Sequence, residues 1–280
     1  MIPGTETIRS MVLDAGFVRA RFIAGAACSA FRRLDARSIL VAALPYGNRH
    51  EPAPDTPGTI APFARRNYYR EGVARLRRIG KTLRAGYGGR KSDFRILCNS
   101  QVPEKPLAIA GGLGALGRNG LVITPEAGSL FVIAAMTLPF DLDGDPPETA
   151  PFTSCAACSP PRCVAACPTG AVRGDGTIDI HRCIQWYASG NGSEVPEPVL
   201  RRWGNRLYGC TDCQDCCIHN RRPVTGVSTE RGALPPFIDP RTILAMTDAD
   251  IVRLFKGTCM GLSWLGPRNI RRNARSLRLF

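Results

Sequence analysis

The sequence predicts an α+β chain in two parts: an α/β N-terminal domain over residues 1–145 and a smaller, cysteine-organised domain over residues 146–280. Three observations predict it. Continuously apolar runs such as Ile39-Leu40-Val41-Ala42-Ala43-Leu44 read as interior strands, and a stretch of about twenty residues carries helical periodicity. Ten of the twelve cysteines lie between Cys155 and Cys259, eight of them in two tight groups.

Taken in order, Ile8, Met11 and Val12 give a short helical face, and Phe17–Ile23 and Ser38–Leu44 read as strands, the second ended by Pro45-Tyr46-Gly47. Pro52, Pro54, Pro57 and Pro62 mark a loop. Val73, Leu76, Ile79 and Leu83 then recur at helical spacing, with Arg70, Arg77, Arg78, Lys81 and Arg84 on the opposite face. Apolar runs follow at Phe94–Cys98, Leu121–Thr124 and Leu130–Leu138, the last long enough for a central strand. Between them Gly111-Gly112-Leu113-Gly114-Ala115-Leu116-Gly117-Arg118-Asn119-Gly120 holds five glycines in ten residues. That spacing permits close backbone approach to a large ligand, although glycine-rich turns serve packing as well. It lacks the strand–GxGxxG–helix context of a dinucleotide site. Asp141–Pro151 reads as a linker.

With 280 residues, 44% hydrophobic, 21% charged and a mean hydropathy of −0.09, the chain is neither disordered nor a membrane protein of apolar spans. Met1–Glu6 carries no basic, apolar leader, so the expected compartment is the cytoplasm. Twelve cysteines in a reducing compartment point to metal rather than disulfides. The net charge of +14 and pI near 9.6 point to a polyanionic partner. Arg268, Arg271, Arg272, Arg275 and Arg278 near the C-terminus and the basic helix face are the candidate surfaces.

The first cysteine group reads Cys155-x2-Cys158-x4-Cys163-x3-Cys167-Pro168; the second is Cys183, then Cys210-x2-Cys213-x3-Cys217 with Cys216 beside the last. Two-cluster ferredoxins use a C-x2-C-x2-C-x3-C-P run whose fourth cysteine serves the other cluster. The match here differs by two residues, Pro160 and Pro161, within the Ser159–Arg162 gap. The order assigns Cys155, Cys158, Cys163 and Cys217 to one 4Fe-4S cluster, and Cys167, Cys183, Cys210 and Cys213 to the other. Cys216 is an alternative to Cys217. Zinc also binds CxxC pairs, but eight thiols in ferredoxin order with a Cys-Pro step favour a ferredoxin-like domain. Cys28 reads as a small buried residue. A two-cluster wire needs a terminal acceptor, which places an electron-consuming cofactor in the N-terminal part.

Phe63-Ala64-Arg65-Arg66-Asn67-Tyr68-Tyr69, Pro103-Glu104-Lys105-Pro106-Leu107-Ala108 and Gly112–Gly120 resemble the cobalamin-binding half of epoxyqueuosine reductases. The cysteine run, Arg182-Cys183-Ile184 and Gly204–Cys213 resemble that family's double-cluster half, and Trp264–Ala274 is similar to the segment after it. The resemblance implies two 4Fe-4S clusters feeding a cobalamin that lies against Leu113–Gly120, with Gly114, Gly117, Arg118 and Asn119 as its contacts. It implies an oxidoreductase for queuosine biosynthesis, a monomer that acts on tRNA and takes electrons from a ferredoxin or flavodoxin. The family's proton-donating Asp falls on Cys98 here, and its Asp-Tyr-His triplet reads Asn67-Tyr68-Tyr69; Cys98 and Tyr68 are therefore the candidate proton donors. A two-cluster electron carrier or corrinoid reductase without tRNA activity is the alternative.

Overall fold

The computed structural model describes residues 2–25, 34, 36–46, 56–147, 155–221 and 234–277; Cys28 and Arg278 lie outside them. Helix α1 (Thr5–Asp14) leads into an antiparallel sheet of β1 (Arg19–Ile23), β2 (Ser38–Pro45), β7 (Phe131–Leu138) and β4 (Ile96–Leu97), in that spatial order. Every residue of β2 is buried, because the sheet is covered on both faces. Leu40, Ala42 and Leu44, with Ala134 and Met136 of β7, meet α1 and the long helix α2 (Tyr68–Tyr87) through Ile8, Leu76, Ile79 and Leu83. Ile39, Val41 and Ala43 face the other way, toward Leu107 and Ala108 of α3 (Glu104–Ala110) and toward Leu113. Double coverage explains a run that never alternates.

Helix α2 starts at Asn67, whose Oδ1 accepts from the Arg70 amide at 2.9 Å, and stops at Gly88 with φ +86°. Its outward face holds Arg70, Arg77, Arg78, Lys81 and Arg84, all exposed and without an ion pair among the described residues.

Two short pairings complete the strands. The glycine-rich segment folds as a hairpin of β5 (Ala115–Leu116) and β6 (Val122–Ile123). β3 (Thr59–Ile60) runs parallel to β8 (Arg206–Tyr208), which carries residues 59–64 across the expected 145/146 boundary into a core with Leu207, Ile243, Phe255 and Ile270. A further core surrounds Trp203, whose indole donates to the Arg206 carbonyl at 2.7 Å.

Two sequence expectations are corrected. The start of the acidic segment after Phe140 is no free linker: Asp145 accepts from the Phe22 amide at 2.8 Å, pairs with Arg9 at 3.0 Å and Arg21 at 3.2 Å, and returns its own amide to the Phe22 carbonyl. The basic C-terminal helix Pro267–Ser276 spends two arginines internally. Arg271 pairs with Asp248 and bonds the Met246 carbonyl, and Arg272 bonds the carbonyls of Tyr187 and Gly192, leaving Arg268 and Arg275 exposed. Among the described residues no helix is long and apolar enough to cross a membrane.

Candidate functional site

The cysteines lie on short helices and the turns between them, where backbone amides can reach sulfur. They fall into two sets. Cys155, Cys158, Cys163, Cys216 and Cys217 line one small cavity with Arg118, Asn119 and His219. Cys167, Cys183, Cys210 and Cys213 share the wall of a second cavity, of about 290 Å³. In the second set burial pushes Cys210 up to about 12, and Cys213 rises further as Cys210, Cys183 and Cys167 add to the effect of burial. Cys167 behaves differently. Burial raises it, but the amides of Val172, Thr169 and Ala171 and the Thr169 hydroxyl outweigh burial and hold the thiol below its ordinary value. Amides aimed at sulfur are the environment of a ligating thiolate, and metal displaces the protons of the raised thiols. Among the described residues no three His, Cys, Asp or Glu side chains converge on one ion-sized point.

The second cavity lies between the two parts of the chain. The same cavity is also lined by Tyr46, Phe63, Tyr69, Leu121, Phe131 and Val132. The glycine-rich hairpin reaches into both thiol sets. Arg118 Nη1 donates to the Cys158 carbonyl at 3.1 Å and Asn119 Nδ2 to the Cys213 carbonyl at 3.2 Å.

Residues 154–220 match the family model of the 4Fe-4S double cluster binding domain. The epoxyqueuosine reductase of Staphylococcus aureus is 31% identical over 252 residues, 85% of this chain and 62% of the relative. That of Escherichia coli strain K12 is 31% identical over 73% of this chain and 54% of its own length. The structure of epoxyqueuosine reductase from Streptococcus thermophilus superposes with a TM-score of 0.78 at 21% identity, over 97% of this chain and 80% of that one. A crystal structure of epoxyqueuosine reductase with an epoxyqueuosine-modified tRNA-Tyr stem loop superposes with a TM-score of 0.77 at 22% identity and the same coverage. Over most of its length the chain is similar to epoxyqueuosine reductases, and it shares their fold. It spans between half and two thirds of the length of these curated relatives.

The double-cluster match gives this chain two 4Fe-4S clusters, and the resemblance to epoxyqueuosine reductases implies a cobalamin. The residues present fit them. Each cavity offers four or more thiols, and the second joins its thiols to an aromatic, largely apolar wall suited to a flat macrocycle. A corrinoid is larger than 290 Å³ and would extend through the mouth of this cavity.

The expected proton donors sit elsewhere. Tyr68 is 6% exposed and its hydroxyl donates to the Tyr46 carbonyl at 2.9 Å, so it braces the cavity wall from behind. Cys98 is buried against Gly72 of α2, and burial, helped by Glu104 and Cys259, pushes its thiol up to about 12. Neither lines the cavity; Tyr69 does. Consecutive residues of a helix point about 100° apart, so Tyr68 turns into the sheet core and Tyr69 into the cleft. Gly114 and Gly117 do not line the cavity either, since a Cβ on either would collide with Ile123 of the same hairpin.

Sequence reading also missed a buried polar network that joins the two parts. Gln214 Nε2 donates to the Tyr46 hydroxyl and the Ser129 carbonyl, each at 2.9 Å. Asn220 Oδ1 accepts from the Ser129 amide at 2.7 Å, while its Nδ2 donates to the Gln214 carbonyl at 2.8 Å. No spacing rule marks these residues. Replacing Asn220 by alanine strands the Ser129 amide and the Gln214 carbonyl, and should lower stability by about 1–3 kcal/mol in denaturant titrations of the holoprotein.

Proposed function

We propose that the chain is a cobalamin- and cluster-dependent reductase that removes the epoxide oxygen of epoxyqueuosine in tRNA, leaving queuosine and water at the cost of two electrons and two protons. The supporting observation is the cavity that four thiols share with Tyr46, Phe63 and Tyr69. In this reading Cys155, Cys158, Cys163 and Cys217 hold one cluster and Cys167, Cys183, Cys210 and Cys213 the other. Cys216 lines the same cavity as the first set, with its Sγ also 3.7 Å from the Cys213 carbonyl, and is the alternative to Cys217. Residues 1–145 present the corrinoid and substrate, and residues 146–280 the clusters. When bound, the clusters pass electrons singly and the cobalamin supplies a strongly reducing metal centre.

The chain's own residues supply the proton and the walls. Burial, with Cys259, Tyr208 and Cys98 nearby, raises the Tyr69 phenol, so it stays protonated at neutral pH. It has no hydrogen-bond partner among the described residues, which leaves its proton for the departing oxygen. Tyr68 and Cys98 support it as positioning residues. Asn119, 3% exposed, reaches the corrinoid cavity from the glycine-rich hairpin together with Leu121, while Arg118 braces the Cys158 turn. The protein would work as a cytoplasmic monomer supplied by a ferredoxin or flavodoxin. The test is incubation of the reduced, cofactor-loaded protein with epoxyqueuosine-modified tRNA stem loop: queuosine forms, detected by mass spectrometry of the nucleosides.

The second reading, a two-cluster electron carrier, is favoured by the absence of a carboxylic acid at position 98. It predicts clusters without queuosine.

The exposed cations of α2 are the proposed tRNA surface. Replacing Arg77, Lys81 and Arg84 by glutamine should flatten the log–log salt dependence of stem-loop binding by about 0.7–0.9 for each phosphate no longer neutralised, as measured by fluorescence anisotropy.

A further inference from the structure

We propose that a small acidic one-electron carrier protein docks in the groove on the outer side of the Cys167–Gly170 turn and reduces the cluster of Cys167, Cys183, Cys210 and Cys213 directly. This rests on the cluster assignment proposed above. The groove encloses about 890 Å³ and is lined by Pro168, Gly170, His181, Arg182, Arg201 and Arg202, among others. Pro168 follows Cys167 and Arg182 precedes Cys183, so two walls of the groove are the chain neighbours of two ligands. Pro168 and Thr169 also line the central cavity with their inner side. The cluster site therefore lies between an outer groove and the inner cavity, separated from the groove by one turn of backbone.

The charge of the groove selects the partner. Arg182, Arg201 and Arg202 are exposed, and among the described residues neither Arg182 nor Arg202 has an ion pair. Arg201 reaches Glu197 at 3.5 Å with both side chains well exposed, a weak tie. Asp179, two residues before His181, is taken by Arg173 at 3.4 Å and by the His181 amide at 3.2 Å. Pro168, Pro196 and Pro198 make a stiff apolar floor that needs no ordering on contact. Unpaired cations around a rigid apolar centre, one turn from a redox ligand, match an acidic protein that presents its own redox centre near its surface. A nucleic acid has no use for the adjoining thiols, and the unpaired cations of α2 lie outside this groove. The transfer balances as one electron: the reduced carrier is oxidised as the cluster is reduced by one.

The probe is a reduced plant-type 2Fe-2S ferredoxin mixed with the iron-loaded protein in a stopped-flow instrument, with dithionite as a small-molecule reductant. Arg182→Glu combined with Arg202→Glu should slow the second-order bleaching of the clusters by ferredoxin about tenfold or more at low salt and abolish its salt dependence. Dithionite reduction and iron content should be unchanged. Oxidised ferredoxin should bind the double variant correspondingly more weakly in calorimetry. Arg202→Gln alone, away from the ligands in sequence, should show a smaller slowing of the same kind should the double variant lose iron. An unchanged ferredoxin rate in a protein that keeps its iron overturns the docking site alone. A wild-type protein that takes up no iron overturns the cluster assignment and the docking site with it. A variant that loses tRNA stem-loop binding but keeps its ferredoxin rate assigns the groove to RNA and overturns the proposal.

Discussion

Changing Tyr69 to phenylalanine should lower kcat for queuosine formation by about 10²–10⁴-fold while leaving iron content and cobalamin uptake intact. The substitution removes one hydroxyl and keeps the ring that walls the cavity, so binding surface is retained and only the proton is lost. The sign of the pH dependence follows from the environment. Burial raises this phenol above its ordinary value, so it is protonated throughout the neutral range, and Tyr69 should impose no fall in rate below about pH 10. Tyr68→Phe is the contrast. It removes the bond to the Tyr46 carbonyl, costing about 1 kcal/mol of stability, and should reduce kcat far less. Equal losses in the two variants, measured in single-turnover assays, would place the proton donor elsewhere.

Changing Cys167 to alanine should bring the iron content from about eight per chain to about four or fewer, four being the complement of one cluster. Cys167 is the thiol whose amide and hydroxyl neighbours outweigh burial, and Pro168 turns the chain between the two sets, so its loss empties one cluster site and disturbs the other. Cys98 and Cys259 belong to neither set: Cys98 packs in the sheet core, and Cys259 donates to the Arg66 carbonyl at 2.9 Å. Cys98→Ala and Cys259→Ala should therefore keep the full iron content by colorimetric assay. Loss of iron in either, or full retention in Cys167→Ala, contradicts the division of thiols.

What the sequence disclosed and what it hid divide along physical lines. The β2 run and the α2 periodicity were legible because burial imposes composition along a contiguous stretch; Leu40 and Leu76 announce their faces locally. The two thiol sets were legible because cluster ligation imposes spacing. The cavity wall was not, since Tyr46, Phe63, Tyr69, Leu121 and Phe131 come from five separate segments and meet only through the fold. A resemblance that stops at the triplet Asn67-Tyr68-Tyr69 cannot say which tyrosine turns outward; helix phase against the sheet decides it. The glycines misled in an instructive way. Gly114 and Gly117 answer to Ile123 within their own hairpin, and a bulky residue there would break the hairpin before it tested any ligand. Arginines misled likewise, because Arg271 and Arg272 look like surface charge until Asp248 and the Tyr187 carbonyl come into contact with them.

In the proposed function a corrinoid occupies the cavity that the thiols of the second set share with the tyrosines. The most direct measurement is equilibrium titration of the iron-loaded protein with cobalamin, followed by absorbance after removal of free ligand, for the wild type and for Leu121→Trp, which fills a half-buried position in that wall. One cobalamin per chain is expected in the wild type, with a large loss of uptake in Leu121→Trp at unchanged iron content. A wild type that carries both clusters and takes up no cobalamin, or a Leu121→Trp variant that binds it as well as the wild type, would contradict this occupancy.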